Sequence, residues 1–284
     1  MGTASQPYVH GDEGERYAIQ GAVKTLAVLF AFAASRGPLT LSQITQRAGL
    51  PRNQVYRSIR SLLAFGVVAE DQSGFVLTPK VLQLLPAVRR VSLFPAACDV
   101  LQDLHCATGE CVTLTVLLPE LETVVLSTLP STHTVGVRTE VGQRSGLHAG
   151  AVPKAILAFL PDHVQKAVAA QLPHLPSYTV WTVSSPEDLH EELTLIRSQG
   201  YAVGYRDFEE DACGVGAPIF GPSGSPIAGV SIGAPIYRMA PSTIKSYGLR
   251  LVGATRQITE RIGGLGPEFM PPCIGSKEGI DHGL

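Results

Sequence analysis

Apolar residues recur at helical spacing between residues 19 and 33, at Ile19, Val23, Leu26, Leu29, Phe30 and Ala33, which predicts an amphipathic first helix. Gly37-Pro38 stops it. Thr40 is placed to cap a short second helix whose Leu41, Ile44 and Ala48 face inward, and Gly49 ends that helix. Pro51 stands where a third helix begins, with Val55, Ile59, Leu62 and Leu63 as its buried stripe up to Gly66. Helix, glycine-containing turn and helix is the order of a helix-turn-helix. Val67-Val68-Ala69 and Phe75-Val76-Leu77 are two short strand-like runs joined by the turn Asp71-Gln72-Ser73-Gly74. A β-hairpin directly after the third helix makes the unit a winged helix. Thr78-Pro79 then opens a basic, leucine-rich connecting helix, bent or broken at Pro86.

Beyond residue 94 the pattern alternates. Helices are predicted over residues 95–108, 152–160, 162–171, 186–198 and 241–262. The fourth of these has Ser185 as N-cap, Pro186 at its first position, Glu187 and Asp188 in its first turn and Gly200 at its end. Strand-like runs fall at 111–118, 123–129, 201–205, 215–220 and 227–233, and Gly221-Pro222-Ser223-Gly224 turns between the last two. Helices interleaved with a mostly antiparallel sheet define an α+β domain. The expected division is a disordered tail over 1–16, a winged helix-turn-helix over 17–78, a linker helix over 79–93, a second domain over 94–264 and a disordered tail over 265–284.

Charge separates the two halves further. Residues 17–91 hold nine basic side chains against two acids, Glu70 and Asp71, a net of +7. Residues 92–284 hold twelve basic and nineteen acidic side chains, a net of −7. The basic segment can neutralise phosphates, whereas the acidic remainder would be repelled by DNA. No apolar run reaches the roughly 18 residues that a membrane span needs, and the acidic first residues, with Asp12, Glu13 and Glu15, do not read as a secretory signal. A cytoplasmic protein is expected. Five cysteines, odd in number and without a C-x-x-C pair, argue against a disulfide framework or a structural zinc site. His105, Cys106 and Cys111 could supply metal ligands, but buried small apolar side chains are the ordinary reading of such cysteines, and neither metal nor cofactor is expected.

Projected as a helical wheel, the third helix turns Asn53, Arg57, Arg60 and Ser61 away from its apolar stripe, with Gln54 beside them. These side chains suit a DNA major groove, because arginine bonds guanine bidentately and asparagine or glutamine does the same to adenine. Arg52 and Tyr56 lie on the flank, better placed for phosphates.

The chain resembles the IclR-type transcriptional regulators. In the first domain the resemblance rests on residues 39–51, on Val55-Tyr56-Arg57 and on residues 62–66. In the second it rests on Ala107-Thr108-Gly109-Glu110, Leu147-His148-Ala149, Lys154-Ala155, residues 157–161, Gly200-Tyr201-Ala202-Val203, Ala217-Pro218-Ile219 and Val230-Ser231-Ile232. The resemblance implies a homodimer or tetramer on a partly palindromic operator in double-stranded DNA, and a second domain similar to GAF-type sensors that binds a small organic effector. Its pocket would be lined here by Ala151, Val152, Gly204, Gly214, Ser231 and Gly233, with His148 either contacting the effector or serving as a structural histidine. Gly204 replaces an aspartate common in the family, Gly214 a cysteine and Pro153 a glycine. These departures imply an effector larger or less polar than a small carboxylate.

Two other functions compete. A winged helix can serve protein contacts alone. Gly229-Val230-Ser231-Ile232-Gly233 also fits the G-x-S-x-G pattern of a hydrolase nucleophile. That pattern needs a strand, a sharp turn and an immediate helix, whereas Ala234-Pro235 follows here, and the only downstream histidine is His282. Ser231 is therefore expected in a strand beside the pocket, and no enzymatic activity is expected.

Overall fold

The computed structural model describes residues 18–33, 35, 37–84 and 93–267. The N-terminal tail, most of the linker and most of the C-terminal tail expected from the sequence lie outside the described residues. The chain divides into two compact units, Met1–Val91 and Ser92–Leu284.

The first unit contains helices α1 (Gln20–Phe30), α2 (Leu41–Ala48) and α3 (Arg52–Phe65), followed by strands β1 (Val68–Asp71) and β2 (Gly74–Leu77). Thr40 and Gln43 form a capping box at the start of α2: the Gln43 N–H donates to Thr40 Oγ1 and the Thr40 N–H to Gln43 Oε1. Gly49, at φ 63°, makes the left-handed turn that lets α3 leave at an angle. Val28, Phe32, Ile44, Val55, Ile59 and Leu62 fill the core. Leu39 exchanges two 2.9 Å backbone hydrogen bonds with Phe75, adding a third edge to the antiparallel hairpin. The hairpin turn is fastened by Asp71, whose Oδ1 accepts from the N–H groups of Ser73 and Gly74.

The first helix departs from its reading. Val28 and Phe32 are buried, while Ile19, Val23, Leu26 and Phe30 are exposed at 77, 41, 54 and 70%. The periodic stripe thus lies mostly on the open side of α1. Where a linker α-helix was expected to begin, Pro79–Leu84 is a 3₁₀ helix, and Lys80 Nζ reaches back to the Phe65 carbonyl that ends α3.

The second unit runs α4 (Leu93–Thr108), β3 (Cys111–Leu117), β4 (Glu122–Leu129), β5 (Arg144–Gly146), α5 (Ala151–Leu157), α6 (Asp162–Gln171), α7 (Pro186–Gln199), β6 (Ala202–Tyr205), β7 (Ala212–Phe220), β8 (Pro226–Pro235) and α8 (Pro241–Arg261). Six strands form one antiparallel sheet in the order β5-β4-β3-β8-β7-β6. Alternation sorts its two faces. Val112, Leu114, Val215, Ala217, Val230 and Ile232 pack with α4 and α8 into the larger core. The opposite face carries α5, backed by α6 and α7 in a second cluster around Ile156, Leu157, Leu189 and Leu193. The final helix ends at Arg261, and beyond it Leu265 donates its N–H to Gly221 O.

Candidate nucleic-acid interface and ligand cavity

On α3, Val55, Ile59 and Leu62 are buried, while Arg52, Asn53, Tyr56, Arg57, Arg60 and Ser61 are exposed and Gln54 is half-buried. The helix therefore turns one continuous polar face outward. Arg52 is braced by α2, its Nη1 donating to Ser42 Oγ at 3.0 Å. Ser61 Oγ donates to the carbonyl of Arg57, and Asn53 Oδ1 accepts from the Gln54 N–H. No ion pair to an acid engages Arg57 or Arg60 among the described residues. Two unneutralised guanidinium groups sit one turn apart, where arginines at i and i+3 share a helix face.

In the second unit a cavity of about 140 Å³ opens between the sheet and the start of α5. Its floor is a row of glycines. Gly204 pairs with Gly214, and Gly214 with Gly233, across three neighbouring strands. One pair further along, Gly216 lies opposite Ser231 and Ser231 opposite Thr113. The absent side chains are what let α5 sit so low. A Cβ on Gly216 would stand 2.8 Å from Ala151 C and Val152 N, and one on Gly204 would stand 2.8 Å from Ala151 N. Gly214 faces Ala151 at an ordinary 3.4 Å, and Gly233 leaves Val137 at 3.7 Å, with room above it.

The wall is mixed. Val125, Val137, Val152 and Phe208 supply apolar surface, and Thr113, Thr139, Gln143, Ser145 and Ser231 supply hydroxyl and amide groups. Thr113 Oγ1 and Ser231 Oγ are hydrogen-bonded at 2.6 Å. Cys213 also borders the cavity. Burial, aided by the Asp207 charge and opposed by Lys154, pushes its thiol up to about 12, so it is a neutral group.

Of the pocket residues expected from the resemblance, Ala151, Val152, Gly204, Gly214, Ser231 and Gly233 all border this cavity, and His148 does not. His148 is buried, its Nε2 donates to the Pro176 carbonyl at 2.9 Å, and its ring stacks on Tyr178. Tyr178 in turn packs against Phe208, with ring centroids 4.4 Å apart. His148 therefore acts on the wall at second hand, as a prop for Phe208. Ser231 lies in the interior of β8 with a threonine as its partner, and no turn or histidine meets it there. The elbow geometry that a hydrolase nucleophile requires is absent at this serine. Nor do His105, Cys106 and Cys111 converge: His105 Nδ1 bonds the Glu110 carbonyl, Cys111 is buried near Thr128, and Cys106 is exposed. Among the described residues no group of three or more potential ligands could hold a metal ion.

Sequence reasoning missed Asp207. This residue is 4% exposed and borders the cavity. Its Oδ2 accepts from Lys154 Nζ at 2.7 Å and from the Gly150 N–H at 3.1 Å, while Oδ1 has no hydrogen-bond partner. Thr182 Oγ1 donates to its carbonyl, and Thr179 Oγ1 to that of Arg206, which sits in the left-handed region at φ 62°. Burial works against a charge on Lys154, but the carboxylates of Asp207 and Glu192 outweigh it and hold the lysine's pKa above its ordinary value. A second buried acid, Glu110, binds Arg238 through both carboxylate oxygens at 2.6 and 2.8 Å. That pair ties the start of β3 to the end of β8 and lies outside the cavity wall.

The profile described as Bacterial transcriptional regulator IclR C-terminal matches residues 86–260, and that of the IclR helix-turn-helix domain matches residues 21–72. The HTH-type transcriptional regulator KipR of Bacillus subtilis (strain 168) is 31% identical over 243 residues, covering 85% of this chain and 96% of KipR. A crystal structure of an IclR transcriptional regulator from Silicibacter sp. TM1040 superposes with a TM-score of 0.78 at 29% identity, over 87% of this chain and 98% of that one. An IclR homologue from Microbacterium hydrocarbonoxydans, crystallised in complex with 4-hydroxybenzoate, superposes with a TM-score of 0.72 at 24% identity, over 85% and 98% of the two chains.

Proposed function

The chain belongs to the IclR family of transcriptional regulators, and from that premise we propose how its residues divide the work. Residues 17–78 form the DNA-reading domain and residues 94–264 the effector domain. Within the first, Asn53, Gln54, Arg57, Arg60 and Ser61 meet base edges in a major groove, and Arg52 and Tyr56 meet phosphates. The observation that carries this reading is the exposed face of α3, where two arginines have no acidic partner among the described residues, in a segment of net charge +7. The chemistry is recognition rather than catalysis. The protein works in the cytoplasm, where its DNA is; among the described residues no helix is long and apolar enough to cross a membrane.

A partly palindromic operator calls for a dimer, or a tetramer made of two dimers. The exposed stripe Ile19, Val23, Leu26 and Phe30 on α1 supports this, since it offers a second copy an apolar face with little other use in a monomer. In the second domain the effector occupies the cavity over Gly204, Gly214 and Gly233. Its volume of about 140 Å³ is close to that of the engineered cavity, about 150 Å³, that holds one benzene. A compact molecule of about one ring fits it, which is larger than a two- or three-carbon acid.

Selection of binding sites from a random duplex library, with wild-type protein beside an Arg57→Ala, Arg60→Ala double variant, tests the reading. An inverted repeat recovered by wild type alone is the expected result. No enrichment by folded wild-type protein at low salt would overturn it in favour of a protein-interaction module.

A further inference from the structure

The polar side chains half-buried in the cavity wall are all neutral: Thr139, Gln143, Ser145 and Ser231. Ser231 Oγ and Thr113 Oγ1 spend one of their two protons on each other and keep the second to donate. Gln143 Oε1 accepts from the Glu140 N–H at 3.3 Å, which leaves its NH2 group as a donor. Hydroxyl and amide groups both donate and accept, and they complement a ligand group that does the same.

Charge is arranged against ions of either sign. Among the described residues no lysine, arginine or histidine belongs to the wall. The one buried cation among them, Lys154, is shared between Asp207 at 2.7 Å and Glu192 at 3.0 Å, so that cluster is net negative. Arg138, between the wall residues Val137 and Thr139, is exposed and does not belong to the wall. The backbone offers an anion no substitute. Helix α5 is only seven residues long, and the Gly150 N–H before it already donates to Asp207 Oδ2. The Ala151 and Val152 nitrogens each lie 2.8 Å from where a Cβ on Gly204 or Gly216 would stand, so they are pressed against the sheet. A cation fares no better. Asp207 Oδ1, the carboxylate oxygen without a partner, is fully buried and out of a ligand's reach. Glu209 is exposed, where an ion pair is worth little.

An ion entering this cavity therefore loses hydration that no opposite charge replaces, whereas a neutral polar group regains its hydrogen bonds from the wall. Resting on the effector reading above, we propose that the cavity selects an uncharged, hydrogen-bonding molecule of about one ring, an amide or an alcohol, and discriminates against ions of the same shape. The apolar body lies against Val137 and Phe208, and the polar group meets the hydroxyl and amide side chains of the wall.

Calorimetric titration of the full-length protein with benzamide, benzoate and benzamidine tests this without a variant. The three share one planar shape and are neutral, anionic and cationic at neutral pH. Benzamide is expected to bind more tightly than either ion by about tenfold or more, the scale of a charge left without a partner. Thr139→Lys places a cation on the wall at a half-buried position, and it should invert the order of benzamide and benzoate. An unchanged order in that folded variant would mean that wall charge does not set the selection. Benzoate or benzamidine binding to wild type as tightly as benzamide overturns the ligand class while leaving the cavity as an effector site. Binding of none of the three, by protein that still recovers its operator, overturns the effector reading itself.

Discussion

Lys154 Nζ lies 2.7 Å from Asp207 Oδ2, in a pair whose side chains are 3 and 5% exposed. The lysine stands on α5 and the aspartate in the segment after β6, so the pair pins the helix to the loop beside the cavity. Removing one partner of such a pair strands the other charge in a low-dielectric site. Lys154→Met should therefore cost about 3–5 kcal/mol and lower the melting temperature of the second unit by roughly 6–20 °C. Scanning calorimetry would show it, and Asp207→Asn in the same chain should recover part of the deficit. Because the folded-state pKa of Lys154 is raised, its contribution is complete below the unfolded lysine value of about 10.5 and fades only as pH rises through the higher folded value. A fading of the wild-type advantage between pH 6 and 9 would contradict that assignment.

On α3 the two kinds of contact separate by salt. Arg57→Ala and Arg60→Ala should each weaken binding to the operator. Arg52→Ala, which leaves one phosphate without its cation, should flatten the dependence of log K on log salt by about 0.9. Asn53→Ala should leave that slope alone while relaxing discrimination at one base pair by about 1–3 kcal/mol. Anisotropy titrations over a salt series, on the selected operator and its single-base variants, distinguish the outcomes. A flattened slope for Asn53→Ala would move this residue from base edge to backbone.

How far the molecule was legible in its sequence depended on the range of the interaction concerned. The α3 stripe and both ends of α2 are local matters, and Thr40, Gly49, Val55 and Ile59 stand where periodicity and capping put them. Strand β5 escaped because Arg144-Ser145-Gly146 is three residues long and carries no β-branched side chain. On α1 the period marked an apolar stripe but could not say what it meets; the buried residues are Val28 and, just beyond the helix, Phe32. The glycine floor is a matter of register: nothing near Gly204, Gly214 or Gly233 announces that three strands align them. Asp207 was invisible for a similar reason, since its partners, Gly150 and Lys154, lie more than fifty residues away in the chain. The family resemblance supplied six residues of the cavity border, but not the acid that gives that border its charge.

The glycine floor makes a paired prediction. Gly216→Ala puts a methyl group 2.8 Å from the backbone of Ala151 and Val152, which cannot swing aside, so α5 must lift. Overpacking of this kind costs about 1–3 kcal/mol, and ligand binding should fall with it. Gly233→Ala meets only Val137, at 3.7 Å. It should leave the melting temperature unchanged or slightly raised, as replacing a strand glycine restricts the unfolded chain, while still narrowing the cavity. Equal destabilisation by the two would mean that α5 does not rest on this row of the sheet.

The stripe on α1 bears on assembly. Leu26 and Phe30 are one turn apart and 54 and 70% exposed, on a helix whose buried side is satisfied by Val28. In a monomer, Leu26→Glu with Phe30→Glu would be a mild surface change, within about 0.5 kcal/mol. In a dimer joined through this face, the same change buries four carboxylates, two from each copy, and the interface should not form. Light scattering after size exclusion should then report a smaller assembly, with the melting transition nearly unmoved. Operator affinity should fall at the same time, because two half-sites are no longer engaged by linked reading helices. If the particle mass stays the same while operator binding disappears, the stripe belongs to the DNA-bound arrangement rather than to the free oligomer; if both stay the same, the copies join elsewhere.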